Sequence, residues 1–468
     1  MPHAHLGDAR RRGGGTRVGT GEGIRADESG GEPNDQLCGE TGPMTTTTLT
    51  ALGRGSGRSD RLEGLALGSA LLFVAAVQLF VAGAYILLTA TVLCWLVLVG
   101  VRNERIEVPR VFWPLAVYGG LTLVSALAAP NRIETIVDCK QLVLFFIVPL
   151  VYRIARGERA SLLTNVIITI GALSAIIGIV QYGMFQYDTL DRRPAGSLTH
   201  YMTYSGLLML VAGAVAGRLL YDKHDRTWPA LVLPAVLVAL SLTFTRNTWV
   251  GISAAMGVLF VLKDRRLLAL LPIAVALLLL VAPGRVAARV YSVLDLQDPA
   301  NRDRVAMLRS GLRIVRDHPL VGVGPDNVKR VYPQYRMPEA VEPLNVHLHN
   351  VPMQIAAERG LPALAAWLWF VVVVLRDLYR RVRAQRSAGL AAAGIAAIIS
   401  MLTAGMFEYN FGDSEFLMLF LVLVTLPYAA EYQQSGFRTQ DSGTGNQESG
   451  VSGEHGPRES DRKDQTPG

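Results

Sequence analysis

Between about residues 62 and 430 the sequence is a succession of apolar blocks, each close to the length needed to cross a hydrocarbon layer. No other feature narrows the choice of fold so far. In hydrocarbon every backbone N–H and C=O needs a partner within the protein, so spanning segments become helices or close into a barrel. These blocks are continuously apolar and do not alternate, so the sequence predicts an all-α, polytopic transmembrane helix bundle. Asking for roughly 17–20 apolar residues per crossing gives about twelve spans. They fall at 62–81, 84–101, 111–129, 140–154, 162–182, 201–220, 228–244, 249–262, 267–281, 361–375, 390–407 and 416–430.

The flanks have a different composition. Residues 1–60 and 431–468 are rich in Gly, Ser, Thr and charged residues and hold almost no apolar runs. They bury too little surface to offset chain entropy, so both are expected to be disordered tails. The first apolar block begins near Leu62 with no small-residue cleavage site after it, so no signal peptide is expected, and Met44 is an alternative start. The formal net charge is +7, which in a soluble chain would suit nucleic acid. Here the basic residues cluster between apolar blocks, where membrane topology explains them, and no nucleic-acid partner is expected. Arg10, Arg11 and Arg12 lie in the first tail. The three cysteines, Cys38, Cys94 and Cys139, show neither metal nor disulfide spacing and read as structural thiols.

The short loops give an orientation. One alternating set carries Arg102, Arg105 and Arg110, then Arg153, Arg156 and Arg159, then Lys223 and Arg226, then Lys263, Arg265 and Arg266, and finally five arginines from Arg376 to Arg386. The other set holds only Arg132, Lys140, Arg192, Arg193 and Arg246. The basic set is expected on the cytoplasmic side. Both tails then lie inside, and the long polar segment 284–360 lies outside.

That segment is the candidate catalytic loop. Val305, Leu308, Leu312 and Val315 recur at helical spacing beside Arg304, Arg309, Arg313 and Arg316, which predicts an amphipathic helix suited to a membrane surface. Gly322, Gly324 and Pro325 predict a turn. Asn350 is placed to cap a helix that begins at Val351 and stops at Gly360.

Five groups could carry chemistry. Arg246, in SLTFTRNTWVG, sits between two apolar blocks, where a charge costs about 2.5–3.5 kcal/mol at mid-bilayer, so an anionic partner is expected; an arginine in a tight external turn, snorkelling to the interface, is the plainer alternative. Arg304 leads an arginine-rich run that includes Arg309, and guanidinium groups bind phosphate through two parallel hydrogen bonds; a solvated arginine face is the plainer alternative. His347, His349 and Asn350 form HLHN, and an imidazole can take a proton from a hydroxyl. Two histidines two apart could also ligate a metal, but no third ligand stands nearby, so none is expected. Glu358 lies on the same helix and either orients the base or faces solvent. RRPAGSLTHYM brings Arg193 and His200 to the same external side, as substrate contacts or as a plain interfacial loop.

The order and shared side of these pieces resemble the O-antigen ligase and Wzy-type polymerase superfamily. The pieces are the Arg246 turn, the Arg304-led helix running into DHPLVGVGPDN, and HLHNVPMQIAAERGLPAL leading into a span. RRPAGSLTHYM is similar to that superfamily's external Gly-and-His loop. The likeness covers about 62–430, with Leu308 where the family often has an aromatic residue and with two tails the family does not require. It implies a GT-C-like, metal-independent, inverting glycosyltransferase of the bacterial inner membrane, without a cofactor. The glycan would move from undecaprenyl pyrophosphate to an acceptor hydroxyl on lipid A core or another surface glycan. Arg246 and Arg304 would then hold the pyrophosphate and His349 would be the base, supported by His347, Asn350 and Glu358, with Arg193, His200 and Arg309 as further substrate contacts. A polymerase that extends a lipid-linked repeat, or a protein O-glycosylation ligase, would share this donor chemistry. A secondary transporter is the rival from another class, but no inverted repeat or matched pair of broken spans is present.

Overall fold

The computed structural model describes residues 57–441, apart from 224, 282–283, 293–294 and 296. The sequence readings for residues up to 56 and from 442 onward, Cys38 included, fall outside the described residues. All the regular structure among the described residues is helical. The chain begins with α1 (Arg58–Ala76), α2 (Val81–Arg102), α3 (Phe112–Ala128), α4 (Arg132–Asp138), a 3-10 segment (Cys139–Phe146) and α5 (Ile147–Ile154). Next come α6 (Arg159–Phe185), α7 (Tyr201–Tyr221), α8 (Thr227–Leu242), α9 (Arg246–Lys263), α10 (Leu270–Val281) and α11 (Gly284–Tyr291). The polar segment supplies α12 (Pro299–Asp317) and α13 (Val328–Tyr335), and the chain closes with α14 (Val351–Arg383), α15 (Ala388–Ala404) and α16 (Ser414–Asp441). Since α16 continues beyond 430, the expected boundary of the second tail falls within a helix.

Six helices are long and apolar enough to cross a membrane: α2, the run Arg132–Ile154, α6, α7, α14 and Ser414–Tyr432 of α16. Helices α3, α8 and α15 are apolar but shorter. Helix α7 lies at the centre, with 83% of its apolar window buried. It packs against α15, whose Ala391, Ala392, Ala393, Ala396 and Ala397 are buried and let the backbones come close, as small residues do between membrane helices. Around this core Leu72, Ile86, Leu231 and Leu280 are all more than half exposed. A belt of bare leucine and isoleucine is costly against water and unremarkable against lipid.

One end of the bundle is tied by ion pairs. Arg153 grips Glu104 with both nitrogens, Nη2 lying 2.7 Å from Oε1. Glu63 receives Arg102 and Arg159, Arg156 stacks 3.5 Å over the Tyr432 ring, and Arg381 meets Glu431. These five arginines, Arg102, Arg153, Arg156, Arg159 and Arg381, all come from the basic set of loops.

The segment between α11 and α14 bears on one sequence expectation. Helix α12 forms, begun by Asp298, whose carboxylate accepts the Ala300 and Asn301 N–H groups ahead of Pro299 at the first turn. Its buried face, however, is Asp303, Ala306, Met307, Ser310, Gly311 and Ile314. Val305, Leu308 and Leu312 are 44%, 43% and 62% exposed. Three of the four stripe residues thus point outward, as a helix suited to a membrane surface requires, while Val315 packs with Met307 and Ile314 into the cluster around Leu348 and Met353.

Helix α14 breaks where the sequence places a stop. Gly360 has φ 81 and ψ 170 inside the long helix, and a side chain there would lie 2.1 Å from the Leu320 carbonyl oxygen. The glycine is therefore required twice, by its left-handed φ and by the approaching backbone. The freed groups are satisfied from the PLVGVG loop: Val323 N–H donates to Ala357 O, Gly324 N–H to Glu358 O, and Leu361 N–H to Pro319 O. This backbone pairing fixes the first half of α14, and with it His349 and Asn350, against the end of the bundle opposite the ion pairs.

Candidate active site

Arg246 opens α9 two residues after Phe244, whose φ of 54 turns the chain, with Thr245 between them. The arginine is 7% exposed. Its Nη1 donates to Ser292 O at 2.7 Å, and its Nη2 donates to Asp298 Oδ1 at 3.1 Å and Asn301 Oδ1 at 3.2 Å. Arg246 thus clamps the start of α12 and keeps its Nε–H unspent among the described residues. Arg304 lies one turn beyond Asn301 on the same helix. It donates only Nε–H, to Phe407 O at 3.0 Å, which leaves both terminal nitrogens open among the described residues.

The Phe407 carbonyl puts Arg304 next to Glu408. Glu408 sits in the turn between α15 and α16 and is 8% exposed. Its Oε2 lies 3.0 Å from His349 Nδ1, its Oε1 accepts Tyr409 N–H at 3.1 Å, and Oε1 faces His347 Nε2 at 3.5 Å. Burial alone would raise this carboxyl. The His349 hydrogen bond, the two imidazoles and the Tyr409 N–H outweigh it and hold the group at about 2. An ionised Glu408 can only accept, so His349 Nδ1 carries a proton, and in the neutral imidazole Nε2 is the nitrogen with the lone pair. His347 is pushed down from its ordinary value by burial, against the pull of Glu408. His349 has φ 46, an unfavourable backbone for a β-substituted residue, costing on the order of 1–3 kcal/mol where the surroundings enforce it. The neighbours that enforce it are Asn350, which caps α14 by accepting Met353 N–H at 2.9 Å and donates to Met406 O at 3.1 Å, and the bond from Val351 N–H to Gly405 O.

Two more arginines reach this end. Arg193 donates to Leu190 O at 2.7 Å and lies 4.2 Å over the Tyr201 ring. Burial and the charge of Arg246 lower its pKa. Arg289 has only a 3.5 Å bond to Phe244 O and a 3.8 Å approach to Asp298. Burial and the neighbouring Arg246, Arg193 and Arg304 bring it down to about 10. Arg304 is lowered by burial and by Arg246, with Glu408 pulling the other way. Four guanidinium groups thus feel one another beside two carboxylates, Asp298 and Glu408. This excess of positive charge suits a polyanionic ligand.

The remaining candidates lie elsewhere or do other work. His200 caps α7, its Nδ1 accepting Met202 N–H at 3.3 Å. Glu358 neither touches His349 nor faces solvent: it is buried, 2.8 Å from Gln354 Nε2 and 2.7 Å from Arg359 Nη1. Arg309 pairs with Glu339 at 2.6 Å on the surface, and both side chains are well exposed. The structure does not bring Glu358 or Arg309 to the group.

Sequence reasoning missed Glu408, Asp298 and Arg289. The signal for Glu408 was a lone carboxylate in the apolar turn AGMFEYNFG, far along the chain from HLHN. Its position also corrects the view that no third metal ligand stands near the histidines, because one ligand atom each from His347, His349 and Glu408 lies within 4.8 Å of the others. These three are the residues that could hold a cation among those described. His349 Nδ1 and Glu408 Oε2 also lie at hydrogen-bond distance, 3.0 Å.

No curated protein matches the chain. A family model described as O-Antigen ligase does match, over residues 229–368. The matched stretch contains Arg246, Arg304, His347 and His349 but ends before Glu408, and the model's family comprises membrane enzymes of glycosyltransferase type. Residues 229–368 are therefore similar to the O-antigen ligase family, in line with the resemblance read from the sequence.

Proposed function

We propose that the protein is an O-antigen ligase-type glycosyltransferase, which moves a glycan from undecaprenyl pyrophosphate to an acceptor hydroxyl at the outer face of the inner membrane. One arrangement carries this reading: Glu408 holds the Nδ1 proton of His349, and the carbonyl of its chain neighbour Phe407 holds Arg304, three residues along α12 from the Asn301 that Arg246 grips. The first is what a hydroxyl needs as a base and the second what a departing diphosphate needs as a counter-charge.

In the proposed step the acceptor oxygen attacks the anomeric carbon as its bond to the diphosphate oxygen breaks. His349 Nε2 takes the hydroxyl proton, and Glu408 stabilises the imidazolium that forms. The electron pair leaves on the diphosphate, where the open N–H groups of Arg304 and the Nε–H of Arg246 neutralise the growing charge. The products are a glycoside of inverted configuration and free lipid diphosphate. Holding both substrates in one geometry supplies much of the remaining rate enhancement.

The topology we propose has about twelve crossings, with both termini cytoplasmic and residues 284–360 on the periplasmic side. The arginine-rich loops tied together at the other end of the bundle support it. Residues 62–430 form the membrane domain, and residues 1–60 and 431–468 are the cytoplasmic tails.

The test is transfer by the purified full-length protein in nanodiscs, supplied with a lipid-diphosphate oligosaccharide and separate acceptors. Transfer to a lipid A core saccharide supports the ligase. Transfer to a second lipid-linked repeat makes it a polymerase, and transfer to a Ser or Thr peptide makes it a protein ligase. Failure of every acceptor, with the donor intact, overturns the proposal.

A further inference from the structure

Two imidazoles and a carboxylate meet at one point beside the proposed chemistry. One ligand atom each from His347, His349 and Glu408 lies within 4.8 Å of the others. Two of the contacts are closer: His349 Nδ1 stands 3.0 Å from Glu408 Oε2, and His347 Nε2 stands 3.5 Å from Glu408 Oε1. Ligand atoms held at about 2.0–2.1 Å by a tetrahedral ion lie about 3.3–3.4 Å from each other. The two contacts bracket that spacing.

Backbone bonds hold the three residues together. Val351 N–H donates to Gly405 O at 2.7 Å and Asn350 Nδ2 to Met406 O at 3.1 Å, which fastens HLHN to the turn that carries Glu408. Leu348, between the histidines, is buried, and its N–H donates to Gln354 Oε1 at 2.7 Å. The two imidazole rings meet edge to face, with centroids 4.2 Å apart. A set of ligands pinned at both ends loses little freedom when an ion binds.

The donors select the ion. Ca²⁺ takes six to eight oxygens and Mg²⁺ demands an octahedron of them, whereas this group offers a single carboxylate. Two imidazoles and a carboxylate suit Zn²⁺, and its three-ligand sites keep a fourth position for water. The cavity of about 250 Å³ bordered by His347 and Glu408 has room for that water. Arg304, held by the Phe407 carbonyl next to Glu408, repels any cation here. An ion must therefore be held by its nitrogen donors more than by charge, which again favours the zinc class over Mg²⁺.

The consequence follows from the imidazole. A neutral ring carries one proton, so an ion on His349 Nδ1 puts that proton on Nε2. Nε2 then donates where the proposed base must accept. We infer that His347, His349 and Glu408 form an inhibitory site for a divalent transition-metal ion of the zinc class, which binds His349 Nδ1 in place of its proton and silences the base. The silencing rests on the proposed transfer reaction; the binding does not, and it can be measured without turnover.

The experiment loads the full-length protein in nanodiscs with Co²⁺, which colours strongly in tetrahedral sites and stands in for Zn²⁺. The wild type should give a saturable visible band that Zn²⁺ removes and about a hundredfold excess of Mg²⁺ does not. His347→Gln and Glu408→Gln should each weaken cobalt binding at least about tenfold, since losing even a hydrogen-bond partner of a ligand costs about 10–100-fold. His318→Gln, at an exposed histidine, should leave the band unchanged. X-ray absorption of the wild type with one equivalent of zinc needs no variant to fold, and should resolve two imidazoles at about 2.0–2.1 Å. In the transfer assay Zn²⁺ should lower kcat by up to about 10²–10⁴, with recovery on chelation and a donor KM within about twofold. No band in the wild type, a band that survives in both variants, a band lost equally in His318→Gln, or fewer than two imidazoles at the zinc would each overturn the site. Zinc bound as described with transfer at full rate would overturn the inhibition. The same ion site in a protein that transfers nothing even when free of metal would sink the proposed reaction and leave the ion site standing.

Discussion

Glu408→Gln keeps the size of the side chain and removes its charge. In the native site Oε2 accepts from His349 Nδ1 at 3.0 Å and Oε1 accepts from Tyr409 N–H at 3.1 Å. A carboxylate accepts at both atoms, whereas a primary amide accepts at one and donates at the other. If glutamine turns its oxygen to His349, its NH₂ opposes the Tyr409 N–H, donor against donor. If it turns the other way, its NH₂ faces Nδ1, the imidazole proton moves to Nε2, and the base loses its lone pair. In either orientation the imidazolium formed in the reaction loses its counter-charge. The loss should approach the whole value of base catalysis, roughly 10²–10⁴ in kcat, or about 2.7–5.4 kcal/mol. KM for the donor should change little, since Arg246 and Arg304 keep their contacts. Steady-state transfer in nanodiscs reads both constants, and a kcat within about threefold of wild type would refute the reasoning. The same variant has an acid signature. The native carboxyl is held at about 2 against an ordinary 4.5, so its contribution to stability is complete above pH 4.5 and is lost as pH falls toward 2. Any thermal-stability deficit of the variant should therefore narrow over that window, and a deficit that is constant down to pH 2 would contradict the assignment.

Three other outcomes follow from the same geometry. Arg246→Ala should lower kcat by about 10²–10³, the usual loss on removing one donor to a developing anion, and should also loosen the start of α12, seen as faster hydrogen exchange over 292–301. Unchanged exchange there would mean that the clamp to Ser292, Asp298 and Asn301 is not structural. Chelation should leave transfer intact; activity lost to a chelator and restored by a divalent ion would turn His347, His349 and Glu408 into a metal centre. Arg309→Ala should leave transfer within about twofold of wild type, because exposed pairs such as Arg309–Glu339 contribute little.

What the sequence made legible, and what it hid, divides along physical lines. Arg246 stands out because a charge between apolar blocks is costly and so requires a reason. HLHN stands out because Asn350 and Gly360 mark the ends of the helix it precedes, and α14 breaks at that glycine. Glu408 stayed hidden because its meaning depends on a contact across 59 residues, between two elements with no shared local pattern. The stripe of Val305, Leu308 and Leu312 was visible as a stripe, and its outward direction is the one a helix suited to a membrane surface requires. Periodicity reports that one face is apolar, and in a membrane protein that face turns to lipid as readily as to the core. The number of crossings suffers from the same limit: six helices meet the criterion of length and apolarity, while α3, α8 and α15 are apolar but short. A length rule counts straight, full spans and does not register short helices packed inside others.

The measurement that bears most directly on the account is a cryo-EM structure of the full-length protein in nanodiscs with a lipid diphosphate carrying a non-transferable glycan. The account predicts diphosphate oxygens about 2.7–3.1 Å from Arg246 Nε and the terminal nitrogens of Arg304, with the anomeric carbon on the His349 side. A diphosphate that touches neither arginine, or that binds among Arg102, Arg153 and Arg159 at the opposite end of the bundle, would contradict it.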